Sequence, residues 1–240
     1  MRAIPFVLVT IFIDAMGFGL IMPVLPRLLM SVAGLDLSGA IEIGAWMGLS
    51  MALASFVAAP VLGNLSDRFG RRPILLASLA CLAADQLLLA VADTLTLIFI
   101  GRTLAGAFGG SFGTAQAAMA DLTRPEERAR SFGYVSAAFG AGFVLGPAIG
   151  GLLGTFGDRA PFYVSAALCA ANFFYGLTLF PETLPKERRR MFDWRRANPL
   201  GALAVARAVP GMLPILWVLI LWQIASLVYP LTWSFYGIAQ

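Results

Sequence analysis

The sequence predicts an all-α membrane protein: a six-span helical bundle, a basic linker and a seventh span. Three observations predict it. Of 240 residues, 59% are hydrophobic and 12% charged, with a mean hydropathy of +0.82. Soluble domains average about 45–50% apolar and roughly 25% charged. Seven apolar windows fall near 4–28, 43–64, 73–92, 95–119, 131–154, 161–181 and 211–236, each about the length a helix needs to cross a bilayer. No segment alternates with the period of two that a membrane-barrel strand requires. A soluble enzyme and a disordered chain are both excluded.

The first apolar run could be mistaken for a secretory signal. From Ile4 to Pro26 it exceeds the usual h-region of about 7–15 residues. It also holds Asp14 and lacks a small-x-small cleavage site. It is therefore an uncleaved first span. Span 2 closes on Pro60-x-x-Gly63 and runs into Asn64-Leu-Ser-Asp67-Arg68-Phe-Gly70-Arg71-Arg72-Pro73. These residues suit a tight turn between helices. Gly63 and Gly70 permit close backbone approach, Ser66 or Asp67 can cap the next helix, and Pro73 suits a first helical turn. A plain hairpin held inside by its arginines is the simpler alternative. Span 3 carries Asp85, while Asp93 falls at its interfacial end.

Span 4 carries Arg102 and Gln116. Span 5 reads Gly133-x8-Gly142-x3-Gly146-Pro147-x2-Gly150-Gly151. Glycines four residues apart let helices pack closely, and Pro147 frees a backbone carbonyl and permits a bend. Ordinary small-residue packing is the alternative. Span 6 carries Asn172. Segment 182–210 is long, basic and rich in Pro and Arg, as a linker between membrane units would be. The expected units are 1–181, the linker 182–210, and 211–240.

With the N-terminus in the cytoplasm, fourteen Lys and Arg fall in inside segments and two, Arg27 and Arg159, outside. That asymmetry sets orientation. It also accounts for the net charge of +4 without a nucleic-acid partner, since no basic helix face or aromatic-basic pattern is present. Cys81 and Cys169 lie in apolar runs and read as small hydrophobes. The chain has no histidine, so any proton chemistry must use carboxylates, and no metal site is expected.

The first six spans contain weak self-similarity. Pro60-x-x-Gly63 and Pro147-x-x-Gly150 are 87 apart, Asp85 and Asn172 are 87 apart, and Asp14 and Arg102 are 88 apart. Three spans per repeat is an odd number, so the two triplets would cross the membrane in opposite senses. Secondary transporters are commonly built this way, with the site near the midplane.

Asp14, Asp85 and Arg102 lie deep in their spans. A charge at a helix centre costs about 2.5–3.5 kcal/mol on insertion scales. Three such charges point to a substrate or proton site facing a polar cavity. An aspartate that breaks and remakes contact with Arg102 could take up and lose a proton. A static buried ion pair that fixes helix register is the alternative. For Gln116 and Asn172, helix–helix bonding competes with a site role.

The turn Gly63–Pro73 resembles the signature loop of the major facilitator superfamily. Arg102-Thr-Leu-Ala-Gly106 is similar to a second element of that family, and the span 5 glycine pattern resembles its antiporter motif. Asp14-Ala-Met-Gly17-Phe-Gly19 in span 1, Ala120-Asp121 before Glu127-Arg128-Ala129-Arg130, and Asn198-Pro199-Leu200 are similar to the tetracycline/proton antiporter branch. The resemblance covers essentially the whole chain.

It implies a twelve-span exporter of the inner (plasma) membrane that expels drug and takes in protons. This chain would be the N-terminal half plus one span, and the missing C-terminal half would be a partner. It also implies that Asp14, Asp85 and Arg102 serve coupling and substrate. Asp67, with Arg68, Gly70, Arg71 and Arg72, would hold a gate closed. No cofactor is implied, and magnesium enters only within a drug complex. Two places depart from the tetracycline branch: Ser55, where close members carry glutamine, and the surroundings of Gln116 and Ala118. They bear on the drug, not on antiport. By this reading the chain alone is inactive. A seven-span receptor or photosensor is disfavoured, because a retinal protein needs a lysine in its last span and the only lysine is Lys186. A membrane enzyme lacks an acid/base cluster.

Overall fold

A computed structural model describes residues 3–194, 197–199, 201, 207, 209 and 211–239, with side chains of the last helix described to residue 226. Arg2, Arg195 and Arg196, which weigh in the orientation, and Leu200 lie outside the described residues. The α-helices described over their whole length are α1 (Ala3–Ile21), α2 (Leu25–Ala33), α3 (Leu37–Phe69), α4 (Arg71–Val91), α5 (Leu95–Phe108), α6 (Ser111–Leu122), α7 (Arg128–Gly154), α8 (Ala160–Leu179) and α9 (Met212–Ala239). Among the described residues, six helical segments are long and apolar enough to cross a membrane, counting α5 and α6 as one. α9 is a further apolar helix that touches α3.

Two expected spans are interrupted. Span 1 becomes α1 and α2, with a turn at residues 22–24 around Pro23. Span 4 breaks at Gly109-Gly110 into α5 and α6. Span 2 is much longer than its apolar window. α3 has 33 residues and is about 50 Å long at 1.5 Å per residue. Its early start has a local cause. Asp36 caps it by accepting the Gly39 N–H at 3.0 Å and the Ser38 hydroxyl at 2.5 Å. Just ahead of the span, the Ser38 hydroxyl and then the Gly39 N–H hold the Asp36 carboxyl below the usual carboxylate range. Pro60 and Pro147 are accommodated inside α3 and α7.

The most extensive helix pairings are α1 with α7, α4 with α8, and α3 with α5. In spans these are 1 with 5, 3 with 6, and 2 with 4. Advancing each span by three turns the first pair into the third and leaves the second unchanged. This is the contact pattern two inverted triplets produce. Small residues permit the approach. A Cβ on Gly106 would fall on the Met51 carbonyl oxygen of α3.

Two apolar clusters cap the bundle. One holds Phe6, Val7, Ile11, Leu75, Leu79, Met119, Val135 and Phe180. The other holds Val24, Leu28, Met47, Leu89, Ile98 and Phe162. Between them the same helices carry buried Thr10, Asp85, Arg102, Ser111, Ser165 and Asn172. The interior is therefore a polar layer between two apolar ones. At the end where α4 meets α5, Arg159 donates to the carbonyls of Ala90 and Ala92 and pairs with Asp93 at 2.7 Å. Asp93 is largely exposed, so Asp93→Ala should shift thermal stability by no more than about 0.5 kcal/mol. A thermal melt of the purified chain checks this.

Candidate functional site

The polar layer is built from facing positions on α1, α4, α5, α6 and α8. α4 presents Asp85 and α5 presents Arg102, and the two form an ion pair. Their residues are only 4% and 6% exposed. Gly101 makes room for it, since a Cβ there would sit 3.0 Å from Asp85 Oδ1 and 2.9 Å from the Leu88 side chain. Burying two charges is costly, and only close pairing offsets that cost.

Asp14 is not part of this pair. Both its carboxylate oxygens are buried without a hydrogen bond of ordinary geometry among the described residues. The Ser111 hydroxyl and the Cys169 thiol are its polar neighbours. The arginine in the layer is thus bonded to Asp85, while among the described residues no counter-charge is bonded to Asp14.

Asn172 and Thr10 bond to each other across α8 and α1, with the Asn172 amide donating at 3.2 Å and the Thr10 hydroxyl at 3.4 Å. This is the helix–helix bonding that competed with a site role. Gln116 is half-buried on α6, and among the described residues no hydrogen bond joins it to the other site residues. Besides Thr10 and Ser111, two further residues not singled out by sequence belong to the layer. Gln86 and Ser165 are buried, and among the described residues Gln86 Oε1 and Ser165 Oγ make no hydrogen bond of ordinary geometry. Both flank Gly17, where a Cβ would lie 3.2 Å from Ser165 Oγ and 3.7 Å from Gln86 Nε2. Their only sequence signal is a polar residue at the depth of Asp14.

The span 5 glycines divide by contact. Gly142, Gly146 and Gly150 lie against the α1 backbone. A Cβ on Gly142 would fall on the Phe12 carbonyl oxygen, on Gly146 it would sit 2.7 Å from that of Met16, and on Gly150 2.5 Å from that of Leu20. Pro147 packs over Gly19 of α1. Gly133 and Gly151 face open space, as does Gly63 of the turn. The expectation of close approach at Gly63 is therefore corrected: among the described residues nothing lies within 4 Å of a Cβ placed there.

The α3–α4 turn is a network. Arg71 pairs with Asp67 at 2.6 Å and with Asp121 at 3.0 Å, and donates to Ser66 Oγ at 2.6 Å. This ties the turn to the C-terminal end of α6. Arg72 donates to the Leu177 carbonyl at 2.7 Å, and Arg68 lies over the Phe69 ring at 5.0 Å. Neither Ser66 nor Asp67 caps α4, contrary to the sequence expectation. The cap comes from Glu182, more than a hundred residues away. It accepts the backbone N–H groups of Arg71 at 2.8 Å and Arg72 at 3.4 Å. Nothing local in the sequence signals this. Among the described residues no group of three metal-ligating side chains occurs.

Comparison with known proteins agrees with this architecture. The sequence model of the Major Facilitator Superfamily matches residues 7–239. The Escherichia coli "Tetracycline resistance protein, class C" is 41% identical over 236 residues, covering 98% of this chain and 59% of that protein. "Multidrug resistance protein 2" of Bacillus subtilis is 30% identical over 184 residues, covering 76% of this chain and 45% of that protein. The crystal structure of the human organic anion transporter MFSD10 matches with a TM-score of 0.72 at 26% identity, over 86% of this chain and 54% of that one. The chain thus spans about half the length of the relatives it matches. On the paired inverted triplets, the signature turn and this match along nearly its whole length, the chain belongs to the Major Facilitator Superfamily.

Proposed function

We propose that the protein, in its complete form, exports a drug-like small molecule across a plasma membrane in exchange for protons. The observation that carries this is the buried polar layer, where Asp85 pairs with Arg102 and Asp14 has no bonded counter-charge among the described residues. In a bilayer such groups are expensive and mark substrate or proton pathways. Asp14 is the group proposed to exchange the proton. Asp85 and Arg102 hold the layer's field, and Arg102 is the cation that an ionised Asp14 would compete for. The N-terminus is placed in the cytoplasm, with the α3–α4 turn and the linker on that side. Asp67, Arg71 and Asp121 then form the cytoplasmic clasp of the gate. Gln116 and Asn172 remain candidate lining residues. No catalytic role and no resident cofactor are proposed.

The names of the relatives support a tetracycline-type or broader drug substrate. Magnesium would cross only as part of a tetracycline complex. The substituted Ser55 makes the wider drug class the better choice. The central pathway lies between two halves, so the 240-residue chain alone should not transport.

Asp14→Asn is expected to abolish substrate accumulation driven by an imposed pH gradient in proteoliposomes, a loss of at least about 100-fold. Retention of gradient-driven uptake would remove Asp14 from coupling. Transport by the isolated 240-residue chain would show that no second half is needed.

A further inference from the structure

We propose that Glu182 is a latch that ties the linker to the α3–α4 turn, so that the seating of the linker and the order of the turn change together. Glu182 opens the segment after α8. Its Oε1 accepts the N–H groups of Arg71 at 2.8 Å and Leu184 at 3.0 Å. Its Oε2 accepts the Arg72 N–H at 3.4 Å and faces the Arg189 guanidinium at 3.6 Å. α4 has no side-chain cap of its own, because its N-cap is Gly70. A carboxylate at that position satisfies orphan N–H groups and complements the positive end of the helix.

Gly70 is shaped to admit it. Its φ is +109°, and a Cβ there would fall on the Glu182 carboxylate. The glycine of the turn thus answers a residue of the linker as well as its own backbone geometry.

The linker is held at two further points. Arg190 N–H donates to the Asp67 carbonyl at 3.1 Å. The Asn64 side chain donates to the Asp193 carbonyl at 2.8 Å and accepts its N–H at 3.3 Å. Residues 182–193 therefore hold the turn at three points. Asp67 and Arg71 are part of the same turn and clasp Asp121. If the linker lifts, the N–H groups of Arg71 and Arg72 lose their acceptor, and the Arg71 side chain loses the framework that aims it. A state in which the turn rearranges is thus favoured by an unseated linker, and the reverse holds by linkage.

The transport role of this latch rests on the gating reading above, but its geometry does not. The test places spin labels on linker residue Met191 and on Ala129 at the start of α7, both exposed. The intact protein is used, with Cys81→Ser and Cys169→Ala, in lipid nanodiscs with neither substrate nor pH gradient. The parent should give one narrow distance distribution. Glu182→Ala, and separately Gly70→Ala, should broaden it at least about twofold in width, with Glu182→Gln intermediate. The double variant should be no broader than the worse single, because both break one contact. If Glu182→Ala does not fold, Glu182→Gln and Arg189→Gln carry the test. In transport, Glu182→Gln should lower kcat about 3–10-fold with KM unchanged.

An unchanged distribution in the Glu182 variants overturns the latch, whatever transport does. Broadening without any substrate movement in the parent leaves the latch standing and removes the exporter reading.

Discussion

Arg102→Ala is expected to destabilise the bundle by about 3–5 kcal/mol, the usual cost of leaving a buried charge without its partner. Asp85 would then sit 4% exposed between two apolar clusters with no cation beside it. Asp85→Asn should cost less, because an amide can bond to the guanidinium that remains. The informative protein is the double variant. Asp85→Asn with Arg102→Gln should be more stable than Arg102→Ala alone, since removing both charges also removes the desolvation cost. Thermal melts of the parent and the three variants check this. All three variants should lose transport in the complete protein, including the stable double variant. Transport by that double variant would mean the pair only fixes helix register.

The second large effect lies at the α1–α7 seam. Gly146→Val should destabilise the chain by about 1–3 kcal/mol or more through overpacking, because its Cβ would already stand 2.7 Å from a carbonyl oxygen of α1. The three nearest atoms are all backbone atoms of α1, which cannot swing aside. Gly133→Ala and Gly151→Ala should act in the opposite direction. Among the described residues nothing lies within 4 Å of their Cβ positions, and replacing a helical glycine gains up to about 1 kcal/mol in helix propensity. One motif should therefore give both signs in the same melting experiment. Equal destabilisation at all three positions would show that contact with α1 does not set the effect.

These cases show how much of the protein is legible in its sequence. The spans are legible because about 20 apolar residues in a row have few other uses. Their interruptions are less so. The break at Gly109-Gly110 and the turn at Pro23 lie inside apolar windows, and hydropathy does not register backbone geometry. The early start of α3 depends on Asp36 as a cap, a polar residue that hydropathy assigns to a loop.

In the site, depth is legible and partnership is not. Asp14, Asp85 and Arg102 stand out because charges are rare in spans. Which carboxylate meets Arg102 depends on helix rotation, and the structure pairs it with Asp85. The motif glycines are legible as a set. Only the facing helix separates Gly146 from Gly151. The cap of α4 shows the same limit most clearly. Ser66 and Asp67 are adjacent and chemically suitable, yet Glu182 takes the position through a tertiary contact.

The central claim is exchange: one solute moves out as protons move in, through Asp14. The most direct measurement loads proteoliposomes bearing the complete protein with drug and a pH-sensitive dye, with equal pH on both sides. Drug leaving down its gradient should acidify the lumen as protons enter, and Asp14→Asn should abolish the acidification. Drug efflux at the parent rate with no lumenal pH change would contradict the account.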